Sequence, residues 1–111
     1  MVCNYRFTEK ASIDLDEILH YISIELDNSF VASAFMTKLE KIIDEITTFP
    51  KCGSLVDNEF IPVKDIRKVP ISNYMLYYRY EESEKCVVIL RIIYGKRDPQ
   101  QTAKGIIPNI S

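Results

Sequence analysis

Nine side chains in the second half of the chain hold most of its available chemistry: Arg67, Tyr74, Tyr77, Tyr78, Arg79, Arg91, Tyr94, Lys96 and Arg97. Arg91 interrupts the run from Cys86 to Tyr94, which is otherwise β-branched and almost wholly apolar. A guanidinium there must reach a carboxylate, carbonyl groups or solvent. Two roles stay open for it: a structural ion pair with an acid such as Asp98 or Glu81, or contact with a negatively charged substrate. Tyrosines 74, 77, 78 and 80 offer ring faces on which nucleic-acid bases stack. Such a run equally serves a strand that packs its rings against neighbours.

Other chemistries find no support. No general acid–base pair stands out. His20 lies between Leu19 and Tyr21 with no nucleophile near it, and reads as a surface or boundary residue. There is no G-x-S-x-G, no H-E-x-x-H and no phosphate-cradling glycine loop. Only three glycines are present, so no cofactor is expected. Cys3, Cys52 and Cys86 form no C-x-x-C, and His20 completes no zinc spacing with them. They read as reduced thiols packing as small hydrophobes. No signal peptide or membrane span is visible, which implies a cytoplasmic protein.

Charge is unevenly placed. Residues 1–50 hold four basic and nine acidic residues, a net −5, whereas residues 51–111 hold ten and seven, a net +3. An acidic half and a mildly basic half point to two surfaces with different partners, or to a solvated surface without that meaning.

Hydrophobic periodicity supplies the frame that must position these groups. The chain's 111 residues make one domain, with 99–111 as a tail whose Ile106-Ile107 docks somewhere. Residues 3–7 read as a short strand. Thr8 is an N-cap, and Leu15, Ile18, Leu19, Ile22 and Leu26 share one helical face over 9–26. Asp27-Asn28-Ser29 is turn chemistry. Phe35, Leu39, Ile42, Ile46 and Phe49 mark a second helix over 29–49, stopped by Pro50. Residues 51–64 read as a loop with room for a short strand. Strands follow at 66–70, 74–81 and 86–94, split by Ser72-Asn73 and by a polar loop over 81–85. Strict alternation sets Val87, Ile89, Arg91 and Ile93 on one face of the last strand, and Val88, Leu90, Ile92 and Tyr94 on the other. The expected architecture is α+β: a two-helix hairpin packed on one face of a small, mostly antiparallel sheet. Leu15, Ile18, Ile22, Phe35, Leu39, Ile42, Ile46, Ile89 and Leu90 should be core, and the other sheet face should carry function.

Several short segments resemble the RelE/ParE superfamily of type II toxins. They are Ala11-x-x-Asp14-Leu15-x-x-Ile18-x-x-Tyr21-Ile22, Ala34-Phe35, Phe49-Pro50 with Gly53, Ile66-Arg67, Asn73-Tyr74 through Tyr78, and Ile89-x-Arg91-Ile92 with Gly95-x-Arg97-Asp98. Each is weak alone, but their order and spacing from Tyr5 to Pro99 are specific. The resemblance implies a growth-inhibiting toxin, of a kind tied to plasmid stabilization and neutralised by a cognate antitoxin that folds on binding. RelE-type members cut messenger RNA on the ribosome, stabilising the charged phosphate with arginines, lysines and a tyrosine. On that pattern the catalytic residues here would be Arg67, Arg91, Tyr94 and Arg97, with Arg67 and Arg97 near each other in space. ParE-type members instead poison DNA gyrase by protein contact. This chain departs from the RelE pattern: Met75 falls where a basic residue follows the strand tyrosine, and 99–105 offers no aromatic after the Gly-Lys-Arg corner. A pI near 5.4 also opposes ribosomal RNA binding. The ParE-like reading is therefore preferred, with the ribosome-dependent nuclease and an inactive relative as alternatives.

Overall fold

Thr8 is where the chain turns from strand to helix. In a computed structural model describing residues 3–25, 29–95 and 99–106, its hydroxyl accepts from the Ala11 amide at 3.1 Å and donates to the Leu90 carbonyl at 2.9 Å. It thereby caps α1 (Glu9–His20) and ties that helix to the sheet. Ahead of it, β1 (Asn4–Phe7) pairs in parallel with β5 (Cys86–Tyr94), Asn4 opposite Cys86 and Phe7 opposite Ile89. A π-helical turn, Tyr21–Glu25, continues α1, and α2 spans Ser29–Thr48. The remaining strands are β2 (Ser54–Leu55), β3 (Arg67–Ile71) and β4 (Tyr74–Glu81). The sheet order is β1-β5-β4-β3-β2, antiparallel everywhere except at β1. A final helix, α3, covers Pro99–Ile106.

Both helices of the N-terminal half bury their apolar stripes on one face of the sheet. Ala11, Ile18, Ile22, Phe35, Leu39 and Ile46 meet Ile71, Leu76, Tyr78, Val87, Ile89 and Ile92 there. Leu15 and Ile42 pack at the margin of this core, half-buried. Leu26 and the turn residues Asp27 and Asn28 lie outside the described residues. Phe49 is exposed, contrary to its place in the periodic pattern. The residue before a proline is pushed out of helical geometry, so α2 ends at Thr48 and the ring points away.

The far face is not bare. Ile61, Ile66, Tyr77, Ile93, Ala103 and Ile106 form a second core beneath it, with Val56, Val63, Met75 and Leu90 packed around. The segment read as a tail is thus a helix that closes a third layer, and Leu90 belongs to this layer. The alternation expected for β5 fails for a related reason. Tyr77 pairs with Arg91 but Tyr78 pairs with Ile89, so Leu90 is the extra residue of a β-bulge. Beyond the bulge the faces exchange: Val87, Ile89 and Ile92 point to the helices, while Leu90 and Ile93 point to α3.

One contact fixes where α2 hands the chain to β2. The buried Tyr78 hydroxyl donates to the Pro50 carbonyl at 2.8 Å and accepts from the Gly53 amide at 2.9 Å. A β-carbon on Gly53 would lie 2.7 Å from that hydroxyl oxygen and 2.9 Å from the Lys68 carbonyl oxygen. At Gly95 the nearest atom would be 3.3 Å away. Gly53→Ala is therefore expected to cost about 1–3 kcal/mol through forced repacking, and Gly95→Ala much less. Thermal melts of the two variants check the order; equal melting temperatures would contradict the contact.

Candidate functional site

Past Phe7 no described strand pairs with the edge of β5, and α1 takes that place. Thr8 N–H donates to the Ile89 carbonyl at 3.0 Å, and the Ile92 amide donates to Asp14 Oδ2 at 3.0 Å. The same carboxylate receives Arg91 Nε at 2.6 Å on Oδ2 and Nη2 at 2.8 Å on Oδ1. Arg91 Nη1 reaches the Gly105 carbonyl of α3 at 2.6 Å. The two side chains are only 15% and 10% exposed, so the pair is largely removed from solvent. Hydrogen bonding to Asp14 holds the guanidinium above its ordinary pKa; burial opposes this, and the charges of Asp14 and Glu17 add to it. The expected acid partner exists: it is Asp14 and not Glu81. Asp98 lies outside the described residues, and Glu81 pairs with Arg79 at 3.2 Å.

Arg67 is also engaged. Its Nη1 donates to the Gly53 carbonyl at 2.7 Å and the Lys51 carbonyl at 3.2 Å, bracing the loop that Tyr78 pins. Arg67 and Arg91 stand on strands either side of β4 and share no partner among the described residues. Arg97, the fourth residue of the proposed catalytic set, lies outside the described residues, as does Lys96. Burial pushes the Tyr78 phenol up to about 12, against the opposing effects of the Gly53 amide and Arg67. A phenol so placed is a structural tie rather than a base. Tyr77 is buried in the second core, and Arg79 pairs with Asp65 at 2.8 Å near the surface.

Tyr94 is different: half its surface is open. Its ring meets Tyr74 edge-on at 6.2 Å, and Tyr74 meets Phe35 edge-on at 5.9 Å. Tyr21 completes the group. Burial raises the Tyr74 phenol, and the nearby Tyr21 and Tyr94 raise it further. On one side of this group lies a cleft of about 250 Å³ lined by Asp14, Glu17, Tyr21, Tyr74, Arg91 and Tyr94. On the other lies a more apolar groove of about 280 Å³, lined by Val31, Phe35, Lys38 and Ser72 among others. Tyr21 and Tyr74 border both. Neither Tyr21 nor Glu17 stood out as a functional group in sequence. The signal was their i, i+4 spacing across α1 and the turn that continues it, off the apolar stripe. His20 is exposed on the rim. Cys3, Cys52 and Cys86 are free thiols, and among the described residues no group of side chains could hold a metal ion. No described helix is long and apolar enough to cross a membrane.

The comparisons agree with this architecture. A family model described as the ParE toxin of the type II toxin–antitoxin system parDE matches residues 5–99. The toxin–antitoxin complex RelBE2 of Mycobacterium tuberculosis contains a similar chain, with a TM-score of 0.60 and 21% identity over 85% of this chain and 99% of that one. A chain of the chromosomal ParDE system of P. aeruginosa gives 0.62 and 21% identity, over 84% and 96%. A mutant of E. coli toxin RelE in the free state gives 0.64 and 16% identity, over the full length of both. No curated protein sequence matches the chain.

Two outcomes follow from the buried groups. Asp14→Ala leaves a largely buried guanidinium without its counter-charge, and should lower stability by about 3–5 kcal/mol; urea unfolding measures it. The Tyr78 phenol titrates near 10 once unfolded and near 12 in the fold, so the stability it supplies is complete below pH 10 and lost as pH rises through 12. Tyr78→Phe should be less stable at neutral pH by about 1–3 kcal/mol. The gap to wild type should narrow across that alkaline window. A gap that widens there would contradict the assignment.

Proposed function

Because the chain belongs to the ParE toxin family of type II toxin–antitoxin systems, we propose that it halts growth through a protein target such as DNA gyrase, and that a cognate antitoxin neutralises it. The observation that carries this reading is the commitment of Arg67 and Arg91, the described arginines of the candidate catalytic set. Ribosome-dependent cleavage of RNA needs cations free to meet a phosphate whose charge grows in the transition state. Arg67 spends Nη1 on two backbone carbonyls, and Arg91 is spent on Asp14 and Gly105. The cleft beside Tyr94 is lined by carboxylates, which repel phosphate. Met75, at the position where RelE types place a basic residue, is half-buried in the second core. Action by contact needs none of these groups free.

An antitoxin partner is supported by the family and by the M. tuberculosis relative, described as a toxin–antitoxin complex. The surface also invites cover: Tyr21, Ile24, Phe30 and Val31 are exposed on and after the first helix, Phe30 at 81%. Tyr21 and Val31 border one groove, and apolar side chains that group on a surface suit an interaction site.

Expression of the chain alone should arrest growth, and co-expression of the neighbouring antitoxin reading frame should restore it. Purified protein should inhibit supercoiling by gyrase and leave messenger RNA on translating ribosomes intact. Arg97→Ala separates the modes: it should abolish cleavage if the chain is a nuclease, and leave gyrase inhibition measurable if it is not. Ribosome-dependent cleavage lost in Arg97→Ala at unchanged melting temperature would overturn the proposal in favour of a RelE-like nuclease. A chain that arrests nothing would be an inactive relative.

A further inference from the structure

The cleft beside Tyr94 has a chemistry that the proposed function leaves unused. Three tyrosines, Tyr21, Tyr74 and Tyr94, crowd closely enough to perturb the middle one. Tyr21 and Tyr94 are each about half exposed, at 50%. Glu17 stands at the same cleft and is exposed. Arg91 also borders it, but its charge is matched by Asp14. Glu17 is thus the surplus charge of the cleft, and among the described residues it enters no ion pair. The helix behind it is acidic throughout: residues 9–25 hold five acidic residues and one basic. Asp16, Glu17, His20 and Tyr21 carry the surface onward from the cleft's rim.

We propose that this cleft receives an arginine side chain from the partner protein that covers the toxin. The inference rests on the antitoxin reading above and adds the chemistry of the anchor. Tyrosine rings present negative π-faces to a cation. A guanidinium stacks on such rings and still forks a carboxylate, which an ammonium does less well. The cleft, at about 250 Å³, has room for one such side chain. A nucleotide would also stack on tyrosines, but its phosphate would face Glu17 and an acidic helix.

The test uses the purified chain alone, so it is read apart from toxicity. Ring signals of Tyr21, Tyr74 and Tyr94 are followed by NMR as N-acetyl-arginine amide is added. N-acetyl-citrulline amide, the same shape without charge, and adenosine monophosphate serve as the other probes. The arginine probe should shift the three rings and the citrulline probe should not. Glu17→Gln and Tyr94→Ala should each weaken arginine binding by roughly two- to fivefold. Glu17 is exposed, so Glu17→Gln should melt at the wild-type temperature; Tyr94→Ala gives up the edge-on contact with Tyr74 and should melt somewhat lower while staying folded. Equal response to citrulline, preferential binding of the nucleotide, no shift of the three rings, or unchanged affinity in both variants would each overturn the proposal. None of these results bears on growth arrest or gyrase inhibition, which stand or fall on their own assays.

Discussion

The Asp14 carboxylate holds three parts of the molecule in one place. It accepts two bonds from Arg91 and one from the Ile92 amide, and Arg91 carries the connection on to the Gly105 carbonyl. First helix, central strand and last helix therefore meet at one ion pair. Burying such a pair is expensive, and it is tolerated only when geometry is good and the remaining lone pairs are satisfied. Both conditions hold here: the contact is bidentate, and the carboxylate also takes a backbone donor that would otherwise be an open edge. No buried side-chain polar atom among the described residues lacks a partner. The pair specifies where α1 sits as much as how firmly, because Asp14 bonds both the guanidinium and the Ile92 amide.

Much of this architecture was legible in residue spacing. The helical stripes, the Thr8 cap, the hairpin at Ser72-Asn73 and all three long strands follow from periodicities that local physics enforces. What escaped was set by tertiary context. Nothing in Val88-Ile89-Leu90-Arg91 marks a bulge, since every residue there suits an unbroken strand. The bulge is visible only when β5 must place Ile92 under the helices and Ile93 under α3. The last helix was hidden because Gln100-Gln101-Thr102 carries no apolar repeat; among the described residues Ala103 and Ile106 supply its contacts with the second core. The partner of Arg91 lies 77 residues away, a distance at which no spacing rule operates.

The candidate site shows the same division. The residue types named from sequence were the right ones to examine, but their states differ. Arg67 and Tyr78 brace the passage from α2 to β2, and Arg91 fastens a helix. Among the described members of the set Tyr94 is half open, and the described charges lining its cleft are two carboxylates and one paired guanidinium, where RNA chemistry would want free cations. The candidate site lies at one end of the sheet, beside the helices, while the far face is covered by a second core.

The parallel pairing of β1 with β5 has a consequence in time. The first strand is completed by the last: Asn4 waits for Cys86, and Thr8 for Leu90, 82 residues later. During synthesis the N-terminal strand and α1 emerge long before their seat exists. The chain can form its helices early, but it cannot close the sheet or bury Asp14 until β5 has left the ribosome. Contacts of such long sequence separation slow folding, because loop entropy is lost before the pairing rewards it. A nascent copy therefore carries its apolar helix faces without their finished seat until β5 has emerged.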